Sequence, residues 1–195
     1  MEFHYAPGAT PLDPDEAAAL VPTHITTQGD LNAWEQVNIA KGDRWAARQK
    51  KQELLVESFL RELHRQMFDK TWHWAGTFRR SNKNIGVDWT QVAVSVRNLL
   101  ENTKYQIENR VYDTDEMAVR FHHQLVWIHP FPNGNGRHAR LMADWLAIRL
   151  GRPRLSWGEG QVNIHSLKEL RVQYIAALRA ADLGQLNDLI AFARS

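Results

Sequence analysis

The chain has 195 residues, a formal net charge of +2 and no cysteine. The lack of cysteine excludes a disulfide-stapled scaffold, a thiolate metal site and a thiol nucleophile, and the balanced charge gives no indication of a polyanion as partner. The first residues lack the basic and apolar regions of a signal peptide, and no apolar stretch reaches the ~18 residues of a membrane span. We therefore expect a cytoplasmic protein that does not enter the membrane.

The residue pattern predicts one helical domain behind an irregular lead-in. Residues 1–30 are rich in Pro, Thr, Gly and Asp, which favours irregular structure, and residues 31–195 form the expected domain. Within that domain, apolar residues recur at helical spacing in several segments. These segments are 32–51, 56–68, 90–108, 113–128, 136–150, 164–181 and 186–193. The predicted fold class is all-α.

A short stretch after the second predicted helix breaks the helical pattern. Residues 72–88 carry two glycines and no helical period. A polar turn at 81–84 separates Phe78 from Ile85 and Val87, and polar turns between apolar residues are typical of hairpins. The sequence therefore predicts a small β-hairpin flap.

Residues 129–140 read HPFPNGNGRHAR and combine several features of a catalytic site. A predicted helix ends at His129, a loop with Gly134 and Gly136 follows, and the next helix carries Arg137 and Arg140 in its first turns. A helix N-terminus offers free N–H groups and partial positive charge to a phosphate, and arginines three residues apart share a helix face. Histidine is a natural general base for a hydroxyl. The segment therefore predicts phosphoryl or nucleotidyl transfer.

Each of these residues also has an ordinary structural interpretation. A histidine at a helix end is usually a cap or a core residue, and a Gly-Asn-Gly loop is often only a turn. Asn135 could hydrogen-bond a phosphate oxygen or hold the loop. The specificity of the prediction comes from the combination of all these features within one short segment.

The segment resembles the Fic signature, His-x-Phe-x-(Asp/Glu)-Gly-Asn-Gly-Arg-x-x-Arg, and departs from it only at the acidic position. Resemblance to the Fic/Doc family implies a single Fic-like helical domain that transfers AMP from ATP to a hydroxyl of a target protein. It implies that His129 is the general base and that Phe131 anchors the loop. It also implies a nucleotide-binding anion hole, which is formed by Gly134, Asn135, Gly136, Arg137 and Arg140.

The resemblance extends to the flap and to the flanking sequence. It implies that the flap docks the target by strand-like pairing, through Phe78, Ile85, Gly86 and Val87. The wider sequence at 23–27 and 127–144 is similar to the Fic subgroup called mobile mystery protein B. That similarity implies a small regulator or antitoxin that acts in trans.

Asn133 occupies the position of the acidic residue in the Fic signature. In the family this carboxylate holds the Mg²⁺ that bridges the ATP phosphates. Asparagine offers an amide oxygen without the charge that Mg²⁺ prefers, so the resemblance implies a weakened Mg²⁺ or Mn²⁺ site. Three outcomes stay open: slower AMP transfer, a changed donor, or a protein that binds nucleotide without turnover, as a non-catalytic member of a toxin–antitoxin pair.

The family's self-inhibition motif, Ser/Thr-x-x-x-Glu-Gly/Asn, has no complete match. Ser58 and Glu62 have the spacing, but Leu63 follows them. Glu159 and Gly160 have the ending without the hydroxyl residue. We therefore expect inhibition, if it exists, to come from a separate partner.

Two other classes of function have weaker support. The nine histidines suggest a metal site, but the sequence has no His-Glu-x-x-His pattern and no cysteine. The arginines between 137 and 154 suggest contact with nucleic-acid phosphates. The near-neutral charge and the lack of a helix-turn-helix pattern make nucleic acid an unfavoured partner.

Overall fold

The computed structural model describes residues 10–161 and 166–195, and these residues form a helical body. The helices are α1 (Pro14–Ala18), α2 (Gln28–Arg48), α3 (Glu57–Phe68), α4 (Val92–Glu108), α5 (Thr114–Ile128), α6 (Asn135–Arg149), α7 (Leu167–Asp182) and α8 (Asn187–Arg194). The predicted all-α class is confirmed. Residues 1–9 of the predicted lead-in and residues 162–165, where the predicted helix 164–181 starts, lie outside the described residues.

Local sequence signals explain where the larger helices begin and what they bury. Thr27 caps α2 in a capping box with Asp30, in which each residue accepts the backbone N–H of the other at 3.1 Å. Helix α3 buries Leu60, Leu63 and Met67 completely, and these residues recur at the spacing of one helix face. Helix α3 therefore packs this apolar face against the core.

Helix α5 is the centre of the fold, because it packs against α4, α6 and α8, while α2 and α3 pack against each other. One apolar cluster joins α2–α6, and a second joins α5 and α6 to α7 and α8. Helices α5 and α6 follow each other along the chain and are connected by residues 129–134. Phe131 of this junction belongs to the first cluster, which anchors the connection in the core.

Residues 10–30 of the lead-in are more ordered than the sequence predicted. It contains the short helix α1, which has no buried residue and therefore no apolar period to find. Leu20 forms an antiparallel bridge with Trp72, and Trp74 Nε1 donates to the Glu16 carbonyl at 3.0 Å. Residues 10–20 thus lie against the body of the domain.

The predicted β-hairpin is wrong, because residues 78–87 form a loop without strands. The backbones of its two arms bond to the C-terminal end of α5 and the residues just after it, and not to each other. Arg79 N donates to the Pro130 carbonyl at 2.9 Å, and Val87 N donates to the Ile128 carbonyl at 3.4 Å. The buried Arg79 guanidinium fills the space between the arms and donates to the carbonyls of Val87 and His129. A side chain therefore replaces the expected ladder of backbone bonds.

Within the described residues, no helix has both the length and the apolarity needed to cross a bilayer.

Candidate active site

The candidate site lies at the junction of α5 and α6, and its first residue is His129. This residue ends α5 in a left-handed conformation, with φ 55° and ψ 60°, and its N–H donates to the Leu125 carbonyl at 3.2 Å. A non-glycine residue in this region is uncommon. The turn directs the imidazole out of the helix, into a position that is only 5% exposed.

Two segments that are distant in sequence cover the His129 ring. Thr10 Oγ1 lies 3.0 Å from His129 Nε2, and both residues are buried. On another side, Gly86 of the flap has φ +102°, and a Cβ atom there would lie 2.7 Å from His129 Cβ. Only glycine allows the flap to approach this closely.

The environment of His129 keeps its imidazole neutral. Burial lowers the pKa of His129 to about 4, and the neighbouring cations Arg79 and Lys83 act in the same direction, while the Val126 backbone opposes the shift in part. Above that pH, Nε2 can carry a lone pair towards the Thr10 hydroxyl. The geometry is that of a general base in contact with an alcohol.

The loop between His129 and α6 is fixed by its own side chains. Phe131 is fully buried, and its ring stacks on His64 with ring centroids 3.7 Å apart. Buried Asn135 accepts from Phe131 N at 2.9 Å and donates to the Phe131 carbonyl at 2.8 Å. The Asn135 side chain therefore holds the loop. Only the backbone N–H of Asn135 can take part in the predicted anion hole.

His64 supports the same loop from α3 and was missed by the sequence analysis. Its Nδ1 accepts the Gly76 N–H at 3.0 Å, which leaves Nε2–H to donate to the Asn133 carbonyl at 3.1 Å. Complete burial holds the pKa of His64 well below its ordinary range. The available signal was its position on the apolar face of α3, four residues after Leu60.

Helix α6 begins directly after this loop and presents its N-terminus at the site. Gly134 is the N-cap residue with φ +77°, and a Cβ atom there would lie 2.6 Å from the Phe68 ring. The first N–H groups of an α-helix have no intrahelical acceptor. Asn135, Gly136 and Arg137 therefore supply backbone donors at a partially positive helix end, where an anion is stabilised.

Arg137 is paired with Glu35, a buried residue of α2 that the sequence analysis also missed. Arg137 Nη1 donates to Glu35 Oε2 at 2.6 Å, and Trp72 Nε1 donates to Glu35 Oε1 at 2.9 Å. Both carboxylate oxygens are thus occupied in a residue that is 5% exposed. The signal was a glutamate on the buried side of α2, whose partner lies too far along the chain for sequence spacing to reveal.

Arg140 lies one turn further along α6 and is not paired in this way. Its guanidinium lies over the Tyr174 ring, 5.2 Å from the centroid. In residues 10–161 and 166–195 it has no ion pair with a carboxylate. Among the described residues, no carboxylate therefore competes with an added anion for this half-buried cation.

Asn133 does not fit a metal site, because its amide is already in use. Its Oδ1 accepts from Gly134 N at 2.6 Å and from Arg137 Nη2 at 3.4 Å. Its Nδ2 donates to the Thr10 carbonyl at 3.2 Å. The described residues also contain no group of three His, Asp or Glu side chains that could hold an ion. An arginine beside the amide oxygen further disfavours a cation there.

The predicted flap residues surround this site with different exposures. Ile85 is 44% exposed, Gly86 contacts His129, and Phe78 packs half-buried against Phe131 with ring centroids 5.6 Å apart. Val87 N donates to the carbonyl of Ile128, the last residue of α5. The structure therefore brings the predicted loop and flap residues together around His129.

Comparison with known families and sequences gives one consistent result. The model of the Fic/DOC family matches residues 54–147. The protein adenylyltransferase fic-1 of Caenorhabditis elegans is 35% identical over 80 residues, which cover 41% of this chain and 14% of that protein. The chain thus aligns with only a small part of the length of this relative.

Solved structures share the fold at low sequence identity. The N-terminal Fic domain of a Bartonella effector from Bartonella sp. AR 15-3 has a TM-score of 0.69 at 14% identity and covers 99% of this chain and 93% of its own. The Fic domain of a cell filamentation protein of Bartonella quintana, solved with bound ADP, has a TM-score of 0.67 at 15% identity, over 88% of this chain and 86% of its own.

Proposed function

From the match of the Fic/DOC family to residues 54–147, we propose that the protein transfers AMP from ATP to a hydroxyl of a target protein. The observation that carries the proposal is the contact of 3.0 Å between His129 Nε2 and an alcohol, beside the N-terminus of α6. The name of fic-1 as a protein adenylyltransferase and the ADP bound in the similar Bartonella domain support the same chemistry.

The reaction follows from the position of His129. The acceptor hydroxyl gives its proton to Nε2 as its oxygen attacks the α-phosphorus of ATP. The bond from the α-phosphorus to the bridging oxygen breaks, and pyrophosphate leaves. The lowered pKa of His129 keeps the base unprotonated at neutral pH.

The N-terminus of α6 is the proposed phosphate site. The backbone N–H groups of Asn135 and Gly136 are proposed to face the phosphates, while Gly134 N donates to Asn133 Oδ1 and holds the turn. Arg140, which has no ion pair among the described residues, supplies a cation. Arg137 joins them only after it exchanges Glu35 for a phosphate oxygen, because Glu35 now holds its guanidinium. This internal carboxylate gives the chain a means of restraint that needs no partner in trans.

The flap loop is the proposed docking site for the target, with Phe78, Ile85, Gly86 and Val87 next to the base. Exposed Ile85 offers an apolar contact at its tip. The regulator in trans and the likeness to the mobile mystery protein B subgroup stay predictions. So does the division into a lead-in at 1–30 and a catalytic domain at 31–195.

No step is assigned to a protein-bound metal, because Asn133 is committed to Gly134, Arg137 and Thr10. The same observation favours one second candidate, a nucleotide-binding protein without turnover. In that case the N-terminus of α6 would bind ATP, and no hydroxyl would attack the α-phosphorus.

The test compares label from α-³²P-ATP and from γ-³²P-ATP on proteins of a cell lysate, with Mg²⁺ or Mn²⁺ present for the nucleotide. We expect label from the α position only, and a fall of about 10²- to 10⁴-fold in His129→Ala. The matched control is His73→Ala, which removes an exposed imidazole. Label from the γ position would instead show phosphoryl transfer.

Nucleotide binding without label distinguishes the second candidate. Isothermal titration with a non-hydrolysable ATP analogue measures binding directly in the wild type and in Arg140→Ala. Binding that depends on Arg140, with no label on any polypeptide, would replace the transferase by a nucleotide-binding protein.

A further inference from the structure

We propose that Thr10 is itself an acceptor, so that the protein attaches AMP to its own lead-in. This inference rests on the proposed function and names a substrate for the same site. Thr10 Oγ1 lies 3.0 Å from His129 Nε2, within the distance at which a base removes a proton. No other hydroxyl in the part of the chain that the structure describes has a hydrogen bond to His129.

The backbone of Thr10 is held as well as its side chain. Its carbonyl accepts from Asn133 Nδ2 at 3.2 Å, and the oxygen of the same amide accepts from Gly134 N and Arg137 Nη2. One side chain thus ties the acceptor residue to the N-terminus of α6, where the phosphates are proposed to bind. The hydroxyl is therefore placed between a base and an anion site.

Asn133, the one residue that departs from the family signature, suits the positioning of Thr10. Asparagine donates one hydrogen bond to the Thr10 carbonyl, whereas an aspartate at 133 has no N–H to donate and would repel that oxygen. Asn133 is thus a positioning residue for the lead-in.

Polar contacts of the following residues keep the lead-in in place. Lys83, whose side chain is 2% exposed, donates to Asp13 at 2.8 Å and to Glu16 at 2.5 Å. Ser81 Oγ donates to the same Asp13 oxygen, Oδ2, at 2.5 Å. Lys83 and Ser81 both belong to the flap loop. The flap therefore holds the lead-in next to His129, as the proposed function requires of a target segment.

The self-modification step balances with ATP alone. The Thr10 Oγ1 proton passes to His129 Nε2, a bond forms from Oγ1 to the α-phosphorus, and pyrophosphate leaves. The product is AMP-modified Thr10, in which a phosphodiester joins Oγ1 to adenosine. Since acceptor and base are parts of one folded chain, the step is intramolecular once ATP is bound, and it gains the high effective concentration of a positioned group.

The experiment incubates the full chain with α-³²P-ATP and a lysate and locates label by gel and by peptide mapping with mass spectrometry. We expect one AMP on the peptide that contains Thr10, at a rate that serial dilution of the protein leaves unchanged. We expect the label to persist in Thr10→Ser, which keeps a hydroxyl, and to fall at least about tenfold in Thr10→Val and in His129→Ala. Circular dichroism of each variant checks folding.

The outcomes separate this inference from the proposed function. Label on lysate proteins with none on Thr10 of the wild-type chain would overturn self-modification and leave the transferase standing. Label on Thr10 whose rate falls with dilution would overturn the intramolecular step. No label on any polypeptide would overturn both proposals.

Discussion

His129 and His138 are both buried, but different parts of the molecule bury them. His138 is fully enclosed between α3 and α6, where Nε2 bonds to the Leu60 carbonyl at 2.9 Å and the ring lies edge-on to Phe131. His129 is covered from outside by the lead-in and the flap. Burial lowers the pKa of His138 to about 3 and the pKa of His129 to about 4.

The difference shows two ways in which a fold keeps a histidine neutral. Apolar packing around His138 can be removed only by unfolding the core. The cover over His129 is held by hydrogen bonds and ion pairs of Thr10, Asp13 and Glu16, and these can break while the helices stay folded. A base that must meet a substrate needs the second kind of burial.

The largest expected effect on stability comes from the core that surrounds His138. Phe131→Ala removes a ring that packs on both His64 and His138, so the free energy of unfolding should fall by about 3–5 kcal/mol. Ile85→Ala, on the exposed flap, should change it by less than about 0.5 kcal/mol. Urea denaturation measures both values. Equal losses of unfolding free energy in the two variants would show that the flap over His129 is packed as tightly as the core around His138.

The second prediction concerns pH and the charge of His129. Below pH 6.5, the ordinary pKa of histidine, His129 is protonated in the unfolded chain. In the folded chain it stays neutral until about pH 4. The folded state is thus favoured above 6.5 and loses stability as pH falls through that window. Between pH 7 and 4 the wild type should lose about 3 kcal/mol more than His129→Gln. Parallel pH profiles of the unfolding free energy would contradict the buried neutral base.

The third prediction opens the cover without touching the core. Lys83→Gln removes the cation that joins the flap to Asp13 and Glu16 and should lower the free energy of unfolding by about 1–3 kcal/mol. The NMR titration midpoint of His129 should move from about 4 towards 6.5, because water reaches the ring. The midpoint of His138 should stay at about 3.

The matched control for that variant is Lys104→Gln, which breaks a more exposed ion pair with Glu53. It should cost no more than about 1 kcal/mol and leave both histidine midpoints unchanged. A shift of the His138 midpoint in Lys83→Gln would mean that the cover and the core are one unit.

The smallest expected effect is that of Asn133→Asp. The variant loses the donor to the Thr10 carbonyl, and the free energy of unfolding should change by no more than about 1 kcal/mol. Limited proteolysis should cut the lead-in faster than in the wild type. Asn84→Asp, an exposed change on the flap, should leave that rate unaltered. Unchanged cleavage in Asn133→Asp would remove Asn133 from the set of residues that hold the lead-in.

Helices α3–α8 were predictable within a few residues, because each buries a face whose apolar residues recur at helical spacing. Helix α2 was also predicted, at 32–51 in place of Gln28–Arg48, although the residues it buries include Glu35, Asn38 and Gly42. Helix α1 was not, since it buries no residue. The hairpin prediction failed because a turn pattern does not reveal that Arg79 occupies the space between the arms and bonds to the carbonyls of Val87 and His129. Long-range side-chain contacts overrode a local signal.

The sequence by itself determined the helical class, the loop at 129–134 and the location of a histidine, two glycines and two arginines around a helix N-terminus. These features depend on neighbours within a few residues of one another. Only the tertiary structure decided that Glu35 holds Arg137 and that Thr10 lies on His129. Each of these pairs joins residues that are far apart along the chain, and their meeting is set by how the helices and the lead-in pack.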